Sequence, residues 1–121
     1  VLAVALAAFA YVGAVDPHQP GHYPACPLLS FAGVHCPGCG GLRSAHAVAH
    51  GDLRGALHTN ALAVAGYAVF AATLLHWLLR ALRDRPALIP RLSAPARWGL
   101  ATVVLGFTVF RNLPVGTFLA A

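Results

Sequence analysis

"ALHTNALAVAGYAVFAATLLHWLL", residues 56–79, contains no Asp, Glu, Lys or Arg. At 1.5 Å per residue such a helix rises about 35 Å, enough to cross a hydrocarbon core of about 30 Å with some tilt. His76 and Trp77 stand near its end, where amphipathic rings favour the membrane–water interface. The rest of the chain shares this character. Of its 121 residues, 59% are hydrophobic and 9% charged, whereas a soluble domain carries about 25% charged residues. The expected solvent is lipid.

Two further apolar blocks flank the first. Upstream, "VLAVALAAFAYVGAV" (1–15) has no basic n-region and no clear cleavage site, so it reads as a span and not as a signal peptide. Its helix rises about 22 Å, and a few residues ahead of Val1 would complete the crossing. Downstream, a third block runs over about 98–119. The expected fold is therefore all-α: an integral membrane protein forming one helical domain over 1–121. It has three transmembrane helices (about 1–15, 56–79 and 98–119) and a loop, 16–55, carrying one short interfacial helix.

Charge sets the expected topology. The formal net charge is +5, and every cation is Arg. Five arginines, Arg80, Arg83, Arg85, Arg91 and Arg97, fall in the 80–97 loop, against Arg43 and Arg54 on the other side. The positive-inside rule makes 80–97 cytoplasmic and the 16–55 loop extracytoplasmic. Arginines that flank apolar runs in this way do not form a nucleic-acid face. With only Asp16, Asp52 and Asp84 as acids, paired-carboxylate chemistry has no material. The short distance in sequence between Ser30 or Ser44 and a histidine is not triad geometry.

The reactive side chains gather in "VHCPGCGGLRSAHAVAH", 34–50. Residues 41–50 have helical periodicity, with Gly51 as a stop and Asp52 as the N-cap of the next helix. Cys39, Arg43, His46 and His50 step by four, three and four, which places them on one stripe; Leu42, Ala45 and Ala49 form the other face. Arg111 is the second anomaly. A helix from Trp98 carries it about 20 Å into the bilayer, where it needs a partner. The 36–52 segment is at the right depth to supply one, and Pro114 breaks the helix just beyond.

Residues 26–62 resemble a bacterial membrane-protein family, the domain of unknown function 2752. The resemblance rests on Cys26-Pro27, Cys36-Pro37-Gly38-Cys39-Gly40, Arg43, Gly51-Asp52 and Asn60. Leu42 stands where the family usually has Thr, and Ala61 where it usually has Pro. The resemblance implies a small multi-span protein of the bacterial cytoplasmic membrane and no reaction.

Three readings of the cluster stay open. Cys36, Cys39, His46 and His50 give C-x2-C-x6-H-x3-H, a donor set suited to zinc, with His35 or Cys26 as alternative ligands. The gap of six is short: on a continuous helix it separates Cys39 from His46 by about 10 Å. Alternatively, the CPGC turn at a helix start is a thiol-disulfide redox centre, with Cys36 and Cys39 as its reactive pair. Finally, a disulfide simply pins the loop. The function expected from these is a non-enzymatic accessory or complex-forming membrane protein with a loop organised by Cys and His; a membrane-embedded thiol oxidoreductase is the alternative. Beyond the lipid bilayer, the small residues Ala61, Ala65, Ala68 and Ala72 suit close helix packing, within the chain, in a homo-oligomer or in a larger complex.

Overall fold

The computed structural model describes residues 1–119. Its elements are α1 (Leu2–Ala14), α2 (Pro27–Ala32), α3 (Gly41–Ala49), α4 (Leu53–Ala81), α5 (Ala94–Asn112) and a 3-10 turn (Pro114–Leu119). The described residues form no strand.

Local chemistry sets the boundaries. Gly51 takes φ 78°, a left-handed conformation that costs a glycine little, and ends α3. Asp52 then caps α4, its Oδ1 accepting from the Gly55 N–H at 2.9 Å. At the far end, Leu113 is extended (φ −84°, ψ 154°) ahead of Pro114, and α5 stops at Asn112. Proline disfavours helical geometry in the residue before it, so the third helix ends short of the 119 expected from hydropathy. The 82–93 loop folds back on α4: Trp77 Nε1 donates to Leu88 O (3.2 Å) and Arg80 Nε to Pro86 O (2.8 Å).

α4 is the longest element, at 29 residues, but is not one straight helix. Asn60 sits in it with φ −162° and ψ 92°, an extended residue between two helical stretches. From Ala61 to Ala81 the second stretch rises about 30 Å, the thickness of a hydrocarbon core. Among the described residues, α4 is the one helix long and apolar enough to cross a membrane. α1, with 13 residues, is apolar but short; α5 has 19 residues but does not reach the same hydropathy.

α3 packs between α1 and α4. A Cβ added to Gly13 of α1 would lie 3.2 Å from Ala49 Cβ, so the backbones there approach closely. Two expectations are corrected here. The inward face of α3 is Ser44 and Ala45, and Leu42 is 43% exposed. Residues 27–32 form a short helix that Pro27 and its length of six residues conceal.

The burial pattern is inverted relative to a soluble protein. The largest fully buried side chains are Arg111, Asn60 and Ser44, while Phe31, Val69, Leu82, Trp98 and Leu105 stand exposed. A buried polar hub within an apolar exterior is the informative departure from ordinary packing.

Candidate functional site

The hub lies under the CPGC turn. Asn60 Nδ2 donates to Pro37 O (2.9 Å) and Cys39 O (3.0 Å), while its Oδ1 accepts from the Ala63 N–H (3.0 Å). One side chain thus grips the turn and caps the second stretch of α4 three residues on, the N-cap geometry. Arg111, 1% exposed, reaches the same turn from α5: Nη1 donates to Cys39 O (2.9 Å) and Cys36 O (3.2 Å), and Nη2 to Thr59 O (3.5 Å). Its neighbour Asn112 brackets His35, accepting from its N–H (2.8 Å) and donating to its carbonyl (2.9 Å). Tyr67 Oη donates to Gly41 O at 2.7 Å. Residues 35–41 are therefore held by four polar side chains from the two long helices.

On this platform the three sulfurs converge. Cys36 Sγ lies 3.0 Å from Cys39 Sγ and 3.5 Å from Cys26 Sγ, and all three fall within 4.8 Å of one another. All three cysteines are free thiols. Cys26 arrives because α2 begins immediately after it and Gly33 (φ 67°) turns the chain back toward Cys36. The environments of the sulfurs differ. The Leu29 N–H directed at Cys26 draws that thiol's pKa down to about 7, helped by the sulfurs of Cys36 and Cys39. Burial pushes Cys39 up to about 12, and the neighbouring sulfurs add to the rise. Cys26 therefore gives up its proton well before the buried Cys39.

An open cavity of about 670 Å³ fronts the sulfurs, lined among others by Tyr23, Cys26, His35, Cys36, Cys39 and Arg43. Residues 26–74 match the model of a protein family of unknown function, DUF2752. The matched segment runs from the first cysteine through α3 and most of α4, and it contains all three thiols, Asn60 and Tyr67. Arg111 and Asn112 lie outside it. No curated protein and no solved structure matches the chain.

The single Cys36, Cys39, His46, His50 ligand set is corrected. Among the described residues, the potential ligands close enough to share one ion are Cys26, Cys36 and Cys39. Gly40 (φ 78°) separates Cys39 from α3 as its N-cap, so the cysteine does not continue the helical stripe of Arg43, His46 and His50. The imidazoles turn elsewhere: His46 Nδ1 bonds Val12 O (2.8 Å) and His50 Nδ1 bonds His46 O (2.9 Å). Arg43 is exposed at the cavity rim, and Asp52 is occupied as a helix cap. Tyr67 was absent from the sequence-based candidates, yet a signal existed. Its hydroxyl stands in an otherwise apolar run, where a buried phenol needs a partner.

Three thiols at this spacing suit two kinds of chemistry. A tetrahedral ion with bonds of about 2.3 Å holds thiolates roughly 3.8 Å apart, near the separations here. Closing Cys36 and Cys39 to a disulfide bond of about 2.05 Å needs a shift of about 1 Å.

Proposed function

We propose that this chain is a small, non-enzymatic, multi-span protein of the bacterial cytoplasmic membrane whose extracytoplasmic loop is built around a three-thiolate metal centre. One observation carries the reading: Cys26, Cys36 and Cys39 converge on a turn whose Cys36 and Cys39 carbonyls are held by the buried Arg111 guanidinium. A divalent ion with three thiolates carries a net charge of −1, and Arg111 supplies the compensating cation. Zinc fits the sulfur donors, and the side facing the cavity leaves a fourth position for an outside ligand.

Several features support the membrane reading. Exposed apolar side chains cover α1, α4 and α5. α4 has the length of a span, and the arginine-rich loop follows it. In this reading α1 and α5 complete three crossings, and the helix surfaces face lipid, a further copy of the chain or a larger complex.

The test is metal analysis of the full chain purified in mild detergent. One thiolate-bound zinc per chain is expected, and that zinc is lost in Cys36→Ser. A folded, metal-free protein that takes up no zinc on titration refutes the reading.

The central position of Cys36, within 3.5 Å of both other sulfurs, favours a second reading, thiol-disulfide exchange. The Cys26 thiolate attacks Cys36 Sγ of a Cys36–Cys39 disulfide. The Cys26–Cys36 bond forms, the Cys36–Cys39 bond breaks, and its electron pair leaves on Cys39, which takes a proton. A partner protein's disulfide would supply the oxidising equivalents. Mass measurement after alkylation without reductant distinguishes the two: only exchange yields interconverting disulfide isomers.

A further inference from the structure

Three neighbouring histidines, His18, His46 and His50, share a feature, one also found at His22, whose Nδ1 lies 2.7 Å from Asp16 O. His46 Nδ1 lies 2.8 Å from Val12 O, His50 Nδ1 2.9 Å from His46 O, and His18 Nδ1 2.8 Å from Asp16 Oδ1. Each acceptor is a carbonyl or carboxylate oxygen, which has no proton to give. Each Nδ1 must therefore carry the hydrogen and donate it, which fixes the tautomer. The lone pair of every neutral ring is then on Nε2. Metal-binding histidines are oriented in this way, with one nitrogen anchored to an oxygen acceptor and the other left to the ion. The rings are also neighbours: the His46 and His50 centroids are 4.3 Å apart, and His18 and His46 6.3 Å.

We propose that His46 and His50 form a second metal site, with His18 as the closing ligand, for a borderline divalent ion of the zinc, nickel or copper type. The H-x3-H spacing on α3 supplies a two-ligand clamp on adjacent turns. His18 sits on the 16–22 loop with its side chain 59% exposed, and its ring must close the remaining distance as the ion binds. Asp16 is the anchor for that movement. Its Oδ1 accepts from both the His18 backbone N–H (2.9 Å) and the His18 ring (2.8 Å). The site joins the end of α1, the following loop and α3, and a bound ion would lock these three elements together. It does not depend on the thiol centre: its ligands are imidazoles, and its frame is the α1–α3 contact.

The experiment titrates Co2+ into the full chain in detergent and reads binding together with the near-ultraviolet sulfur-to-cobalt charge-transfer band. Two classes of ion are expected if both centres fill, one with the band and one without. Cys36→Ser should remove the first and leave the second. His50→Gln should weaken the second about tenfold or more, while His58→Gln, on exposed α4 surface, should leave it unchanged. Because His46 also holds α1, the His50 variant carries the test, and nitrogen NMR of the metal-free protein independently checks for Nδ1–H tautomers at His18, His46 and His50. The proposal is overturned if every bound Co2+ shows the sulfur band, if His50→Gln binds as tightly as the parent, or if these rings carry the proton on Nε2.

Discussion

Replacing Asn60 by Ala isolates the hub's contribution. The side chain is fully buried and makes three hydrogen bonds, two as donor to Pro37 O and Cys39 O and one as acceptor from Ala63 N–H. Cys39 O keeps Arg111 as a donor, so its loss is partial. Pro37 O and the Ala63 N–H lose the bonds that Asn60 gave them, and both belong to half-buried residues. At roughly 1 kcal/mol per neutral bond, with a further penalty of about 1 kcal/mol for stranded groups, Asn60→Ala should cost about 3 kcal/mol. The loss falls on local opening of the 36–41 turn, because the side chain ties that turn to α4. If exposure of Cys39 follows this opening, 3 kcal/mol raises its population roughly 100-fold, since each 1.4 kcal/mol is a factor of ten. The assay is the rate of Cys39 alkylation in detergent at fixed pH, with Cys26 labelling as internal control. A Cys39 rate raised about 100-fold with Cys26 little changed supports the clamp. A Cys39 rate within threefold of the parent would falsify it.

Further outcomes follow from the same geometry. The alkylation rate of Cys26 should climb as pH passes about 7, whereas Cys39 should resist until far more alkaline pH; mass spectrometry after timed iodoacetamide pulses at stepped pH reads both. Since the Cys26 pKa falls from 9.0 in the unfolded chain to about 7, its stabilisation is full above pH 9 and fades as pH drops through 7; unfolding midpoints at pH 6 and pH 9, compared with those of Cys26→Ser, check the sign. Asp52→Ala removes the α4 cap bond to Gly55 N–H and should cost about 1 kcal/mol, restored by Asp52→Ser, as measured by thermal unfolding. For topology, a membrane-impermeant thiol label added to whole cells under reducing conditions should reach Cys26; labelling only after lysis places the loop on the cytoplasmic side.

What was legible in the sequence was local. The uncharged run 56–79 lies inside α4, and Gly51 followed by Asp52 marks the junction of α3 and α4, because stops and caps act over a few residues. Arg111 was conspicuous because a cation deep in an apolar helix needs a partner, and its bonds go to Cys36 and Cys39. Contacts between distant residues were not legible. Cys26 is ten residues from Cys36, and its approach depends on the direction in which α2 and Gly33 send the chain. The extended conformation of Asn60 has no signature in hydropathy, because it follows from the two carbonyls the side chain serves 21 and 23 residues away. The helical stripe failed at Cys39 for a similar reason. Periodicity assumes an unbroken helix, and Gly40 interrupts it with a positive φ.

The buried arginine explains why the hub must be polar on both sides. Arg111 spends its hydrogen bonds on carbonyls, its Nε lacks a hydrogen-bond partner among the described residues, and its guanidinium lies 5.4 Å from the Phe107 ring centre. Carbonyl dipoles and a ring face solvate a cation but do not neutralise it. Of the acids, Asp16 bonds His18 in the histidine cluster and Asp52 caps α4. The groups nearby that can acquire negative charge are the thiols, whose Cys36 and Cys39 backbones Arg111 already holds. The same arginine that fixes the turn therefore favours thiolate above it, whether that charge goes to a metal ion or to an attacking sulfur. Arg111→Met keeps the bulk and removes the charge. It should weaken zinc binding by tenfold or more even if the fold survives, and equal affinity in a folded Met variant would mean that the cation serves the turn alone.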